Sequence, residues 1–160
     1  MSSSLAPFFN AKGVAVLGAS TNPKKLSYGI VNNLLSHGYE GKVYPVNPNA
    51  DEILGLKVYP TIADVPDPVE LAVVVLPVTI IMETMKAVGE RGIKAAVVIT
   101  GGFKELGEEG AKIERDLKAL TDSYGMRIVG PNCVGTMSMY TGLNSTFIKG
   151  MPVAGPIAFV

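Results

Sequence analysis

Five short stretches of this 160-residue sequence hold residue types suited to phosphates, thiols and flat apolar groups. The richest runs Gly18, Ala19, Ser20, Thr21, Asn22, Pro23, Lys24, Lys25, Leu26, Ser27, Tyr28, Gly29. Small and polar residues between an apolar run and a helical pattern leave backbone N–H groups and a helix dipole free for a phosphate or pyrophosphate, and the two lysines add positive charge. An ordinary strand-to-helix turn with solvated lysines fits the same letters about as well, and the GxGxxG fingerprint is absent. A second stretch, Thr100, Gly101, Gly102 and Phe103, has consecutive glycines that let a backbone approach a ligand closely; a flexible turn competes with that reading. The third, from Gly130 through Pro131, Asn132 and Cys133 to Gly135, offers an amide and a thiol. Cys133 has no histidine nearby, because the single one, His37, is predicted at the opposite edge of the sheet. A packing or ligand-lining role is therefore favoured over a nucleophile.

The remaining two stretches concern the nucleotide end of a ligand. Asn47, Pro48, Asn49 and Ala50 stand where a dinucleotide enzyme usually holds its ribose with a carboxylate. An acid there would repel a ribose phosphate, so its absence weakens NAD and leaves room for a nucleotide carrying an additional phosphate. Pro77 and Val78 could pack against an adenine or a pantetheine arm, whereas Thr79 reads first as a helix N-cap. Glu105, Glu108 and Glu109 suit the start of a helix dipole; only Glu105 is near enough to a strand tip to be held in reserve as an acid or base.

These residues need a scaffold that brings them to one edge. Apolar runs without alternation occur at residues 14–17, 71–76, 95–99 and 156–160, which reads as strands covered on both faces. Between them, apolar residues recur every three or four positions: Ile30, Val31, Leu34 and Leu35, then Ile81, Met85 and Val88, then Ile113, Leu117, Leu120 and Tyr124. Each such helix stops before a glycine, at Gly38, Gly92 and Gly125. Strand and helix alternating at this pitch give right-handed βαβ units and a parallel sheet. The fold class is α/β, a Rossmann-like doubly wound, mainly parallel sheet with helices on both faces. Residues 47–70, interrupted by four prolines, are read as a small edge strand at 57–59 and a helical turn after Thr61. Residues 142–156 are read as a connection and 157–160 as the first strand of a further domain. The expected organisation is one domain over 1–150, with 151–160 leading into a following one. In a parallel sheet the ligand groups follow the C-terminal ends of the strands. All five tips carry small or polar residues, a uniformity that a purely structural sheet has no need of.

Composition narrows the function. Fourteen Lys plus Arg balance fourteen Asp plus Glu, so nothing resembles a footprint for nucleic acid or an anionic membrane. The apolar runs are far shorter than the ~20 residues of a membrane span, and no secretory pattern opens the sequence. One cysteine and no Cys/His cluster point to a reduced, cytoplasmic, metal-free domain.

Taken in order, Val14-Ala-Val-Leu-Gly-Ala-Ser20, Gly41-Lys-Val-Tyr-Pro-Val-Asn-Pro48, Ile53-Leu-Gly55, Gly101-Gly-Phe-Lys-Glu105 and Gly130-Pro-Asn-Cys-Val-Gly135 resemble the CoA-binding domain that opens NDP-forming acyl-CoA synthetases, the group that includes the succinyl-CoA synthetase alpha subunit. The resemblance runs from about residue 8 to 160. It implies coenzyme A as ligand, with Gly18, Ala19, Ser20 and Thr21 at its phosphates, Asn47 and Pro48 at the nucleotide end, and Pro77 at the adenine. Thr100, Gly101 and Gly102 would meet the pantetheine, and Asn132 and Cys133 would lie near the thiol. In the family a histidine of the next domain is phosphorylated, acyl phosphate forms, and the CoA thiol attacks it. His37 does not match that position, and Asn49 and Ala50 stand where the succinyl-CoA synthetase alpha subunit has a lysine. The resemblance implies as partners CoA or acyl-CoA and the ligase and ATP-grasp domains or subunits of the same enzyme; self-association into a homo-oligomer is compatible with it. By itself this segment is expected to bind without turnover. Two alternatives are a free-standing CoA or nucleotide sensor and an NAD(P)-binding oxidoreductase domain.

Overall fold

The computed structural model describes residues 4–156 and residue 158. In chain order the elements are α1 (Pro7–Asn10), β1 (Gly13–Leu17), α2 (Leu26–Ser36), β2 (Lys42–Val46), β3 (Glu52–Ile53), β4 (Leu56–Lys57), β5 (Leu71–Val74), α3 (Ile81–Glu90), β6 (Ala95–Val98), α4 (Glu108–Ser123) and β7 (Arg127–Val129). Five strands form one parallel sheet in the order β2-β1-β5-β6-β7. The register aligns Leu17 with Val46 on one side and Val74 on the other, and Val74 in turn with Val98. Their carboxyl ends therefore form one row, as the sequence reading requires.

Unbroken apolar runs form these strands because both faces are covered. Along β1, Val14 and Val16 pack with Phe8 of α1 and Ile30, Val31 and Leu34 of α2. Ala15 and Leu17 point the other way, into a cluster with Ile81, Met85 and Val88 of α3 and Leu117 of α4. The fold class thus agrees with the sequence reading. Each aliphatic side chain sealed in this way contributes roughly 1.5–3 kcal/mol, so the two clusters rather than the turns hold the strand tips in place. The three long helices end where the glycine spacing predicts, with Gly38, Gly92 and Gly125 in left-handed backbone. No helix among the described residues is long and apolar enough to cross a membrane.

Two local readings change. The edge strand expected at 57–59 is instead the hairpin of β3 and β4, turned at Leu54 and Gly55, both at positive φ. Only Tyr59 joins β2, with its N–H donating to the Pro45 carbonyl at 2.9 Å and its carbonyl accepting from Asn47 N–H at 3.0 Å. Pro60 follows and has no N–H with which to extend that ladder. The helical turn expected after Thr61 is present as Ile62–Asp64, closed by a capping box in which the Asp64 carboxylate accepts from Thr61.

Residues 142–148 are not a loose connection. Leu143, Asn144, Ser145 and Thr146 are buried, and the Asn33 amide donates to the carbonyls of Thr146 and Ile148, each at 2.8 Å. This segment and α1, which the sequence reading omitted, supply Leu143, Phe147 and Phe8 to the face carrying Val97 and Ile99. The strand expected at 157–160 lies outside the described residues except for Ala158, which is in no strand.

Candidate ligand-binding cleft

The strand order reverses direction between β1 and β5, and a cleft of about 990 Å³ opens there at the carboxyl edge. Hydrogen bonds tie the neighbouring tips elsewhere along this edge. The Asn47 amide donates to the Ala19 carbonyl at 2.7 Å, joining the β2 tip to the loop after β1. The Thr100 hydroxyl donates to the Leu76 carbonyl at 2.7 Å, joining β5 to β6, and Asn132 N–H donates to the Thr100 carbonyl at 2.9 Å, joining β6 to β7. Among the described residues no side-chain bond closes the β1–β5 gap in this way, so that junction remains open. A crevice at the switch point of a doubly wound sheet is where such folds take ligands.

The floor of the cleft is built by Gly18. Its φ of +84° turns the chain sharply out of β1, and a Cβ there would lie 2.3 Å from the Val75 carbonyl oxygen. Glycine is therefore demanded by the neighbouring strand tip. The resemblance places Gly18 at the CoA phosphates; the geometry adds a packing requirement of its own.

One wall is the loop into α2, with Ala19, Ser20, Lys24, Lys25, Leu26 and Ser27. No side chain caps α2 and no acid occupies its first turn, so its leading N–H groups keep their donor capacity. With Lys24 and Lys25 beside them and Glu83 as the single acid in the lining, the donor set fits an anionic phosphate. Across from it Pro48, Pro60, Ile62, Pro77 and Ile80 give an apolar surface that suits a flat base, with Thr61, Glu83 and Thr84 beside them.

Of the residues singled out in the sequence, Gly18, Ala19, Ser20, Lys24, Lys25, Asn47, Pro48 and Pro77 line this one cleft. Thr21, Asn22 and Pro23 do not. They are exposed, and Asn22 serves the loop itself, its side-chain oxygen accepting from Lys24 N–H at 2.9 Å. Asn47 also works internally: besides the bond to Ala19, its oxygen accepts from Asn49 N–H at 2.8 Å. Thr100, Gly101, Gly102, Asn132 and Cys133 lie on the β6 and β7 tips along the same edge, outside the cleft. Gly101 is near Asn132, since a Cβ on it would approach the Asn132 side-chain oxygen to 3.3 Å.

Two side chains are assigned by their bonds. Glu105, held in reserve as an acid or base, accepts a hydrogen bond from Gly102 N–H at 2.6 Å, and this bond above all holds its carboxyl below the usual range. A carboxylate stabilised in its charged form and already bonded is a brace for the two-glycine turn rather than a proton carrier. Cys133 is half-buried against the apolar cluster, with its thiol directed at the Val98 and Val129 carbonyls at 3.4 and 3.6 Å. Burial pushes its pKa up, opposite to what an activated nucleophile needs. His37 caps the far end of α2, as expected.

The sequence reading missed Pro60, Ile62, Ile80 and Thr84 in the cleft lining, and did not single out Ser27 within the stretch from Gly18 to Gly29. The first two arrive from the proline-interrupted segment, which carried no periodic signal. Ile80, Thr84 and Ser27 sit on helical turns whose facing depends on how the helix docks.

Fold and cleft together define a parallel α/β domain with an open cleft at its switch point, lined by donors that suit an anionic phosphate. The sequence profile of the CoA binding domain matches residues 12–139, and the chain belongs to that family. Coenzyme A is the ligand of the family, and the donor set described above fits it. The chain is 46% identical over 153 residues to the alpha subunit of acetate–CoA ligase [ADP-forming] II of Pyrococcus furiosus, covering 96% of this chain and 33% of that protein. Among solved structures, a dinucleotide-forming acetyl-coenzyme A synthetase 1 of Ca. Korarchaeum cryptofilum, in complex with phosphate and ADP, superposes with a TM-score of 0.85 at 47% identity. That match covers 89% of this chain and 30% of the other. A conserved hypothetical protein of Pyrococcus furiosus matches with a TM-score of 0.58 at 34% identity, covering 73% of this chain and 90% of that one. The chain thus spans about a third of the length of the ligase relatives.

Proposed function

We propose that this chain serves as the CoA-binding domain of an ADP-forming acyl-CoA ligase, holding CoA at the β1–β5 cleft for thioester formation in a reduced, cytoplasmic setting. The carrying observation is the pairing of an uncapped, lysine-flanked α2 N-terminus with an apolar wall across the switch-point cleft. The diphosphate lies against residues 18–20 and the N–H groups of α2, near Lys24 and Lys25. The adenine lies between Pro48, Pro77 and Ile80. From there the pantetheine arm follows the hydrogen-bonded edge past Thr100, Gly101 and Gly102 toward Asn132 and Cys133.

Bound CoA supplies the thiol that accepts the acyl group. The residues of this chain bind and orient it, and among the described ones none is placed to activate an acid or cleave a nucleoside triphosphate. We assign those steps to ligase and ATP-grasp domains or subunits beyond residues 1–150, with 151–160 as the connection. The identity of the alpha-subunit relative supports this division.

Thermal-shift titration with CoA, desulfo-CoA, ADP and NAD tests the reading. At 100 times its dissociation constant, CoA adds ~2.7 kcal/mol, a rise of about 5–10 °C for a chain of this size. Desulfo-CoA should match CoA, and ADP should give a smaller shift. A clear shift with NAD and none with CoA would overturn the proposal. A free-standing CoA sensor is the second reading, favoured by the relative whose own length this chain covers by 90%; it predicts the same binding and no complex with ligase subunits.

A further inference from the structure

Six polar residues are buried among the described ones: Ser27, Asn33, Thr121, Asn144, Ser145 and Thr146. Five have side chains engaged in hydrogen bonds. Asn33 donates to Thr146 and Ile148, Thr121 to the Lys118 carbonyl, and Asn144, Ser145 and Thr146 bond within their own segment and to Thr136. Ser27, only 4% exposed, is the exception, because its hydroxyl has no partner among the described residues. No sealed side-chain oxygen is left unsatisfied, so this hydroxyl keeps an accessible face, and the residue lines the β1–β5 cleft.

With its one accessible face at the cleft and no partner in the described chain, this hydroxyl has its donor free for an acceptor there. Alanine would fill the same space and is the better helix former in the first turn of an 11-residue helix. The surrounding donors, the uncapped N–H groups of α2 and the Lys24 and Lys25 ammonium groups, all select an anion.

We propose that Ser27 donates its hydroxyl hydrogen to a phosphate oxygen of the bound nucleotide and acts as a phosphate-selective binding residue of the cleft. This rests on the reading of the cleft as the CoA site. Ser27 bonds to the charged diphosphate and makes no contact with the base. Its removal therefore weakens phosphorylated ligands alone.

The test compares wild type with Ser27→Ala by calorimetry or NMR titration of CoA, ADP and adenosine. Loss of one hydrogen bond to a charged group predicts about tenfold weaker binding of ADP and of CoA. Adenosine affinity is expected to be unchanged, and the ligand-free melting temperature equal or higher. Unaltered ADP and CoA affinity in the variant, with both binding wild type, would overturn the Ser27 assignment alone. An equal loss for adenosine would also overturn it, by showing that the residue acts through the shape of the site. If wild type binds neither CoA nor ADP, the reading of the cleft itself falls, and this assignment with it.

Discussion

Gly18 faces a tight steric constraint, with an added Cβ coming to 2.3 Å from the Val75 carbonyl oxygen of the neighbouring strand tip. Any side chain also meets the left-handed strain of φ +84°. Gly18→Val is therefore expected to destabilise the fold by about 2 kcal/mol or more, read as a shifted urea midpoint, and to lose CoA binding through collapse of the floor. A stable variant with weak CoA binding would instead return Gly18 to direct ligand contact. Glu105 gives a pH prediction. Its carboxyl is held below the ordinary value mainly by the Gly102 N–H bond, so the charged form is favoured in the folded state. The stabilisation is then fully present above the unfolded value of roughly 4.3 and is lost as pH falls through the lower folded value. The stability gap between wild type and Glu105→Ala should be constant at neutral pH and close on the acid side. A gap that persists in acid would show that the carboxylate charge is not what braces the turn. Chemistry-bearing residue types were readable at all five tips, yet the reasons for several of them were not. Asn47 and Thr100 bond to neighbouring tips 28 and 24 positions away, and such long-range partners leave no mark on local spacing.

At the scale of elements, the proposed phosphate contact rests on α2. This helix starts without a cap, carries two lysines at its entry, and directs its first turn at the cleft. Exposed charges act through a screened field. Replacing Lys24 and Lys25 together by alanine should weaken CoA binding by about tenfold at low salt and much less at high salt. Calorimetry at two ionic strengths checks this; a loss independent of salt would mean that the lysines shape the loop rather than attract the phosphates. The helices α2, α3 and α4 were legible because a docked helix must show an apolar stripe and a stop signal. The β3–β4 hairpin was not. Its strands have two residues each, too short for any period to appear, and its turn uses Leu54 at φ +51°, a residue that does not announce a turn. The buried segment at 142–148 likewise reads as a connection until Asn33 and Thr136 are seen to satisfy its polar groups.

For the whole molecule, the parallel order β2-β1-β5-β6-β7 converts five separated sequence stretches into one edge, and the reversal at β1–β5 places the opening. The chain covers about a third of its ligase relatives. Incubated with acetate, ATP and CoA, it is expected to bind CoA and form no acetyl-CoA on its own. Thioester formation by the isolated chain, followed by the disulfide-exchange assay for free CoA thiol, would require catalytic groups that the cleft described here lacks. The sequence by itself determined the α/β class, the ends of the three long helices, the parallel sheet and the family, because these depend on periodic burial and on motifs local in the chain. Only the tertiary structure decided which tip residues share the cleft, which ones tie the tips together, and that Ser27 reaches it unpartnered. Those properties arise from the docking angle of α2 and from bonds between residues that lie dozens of positions apart.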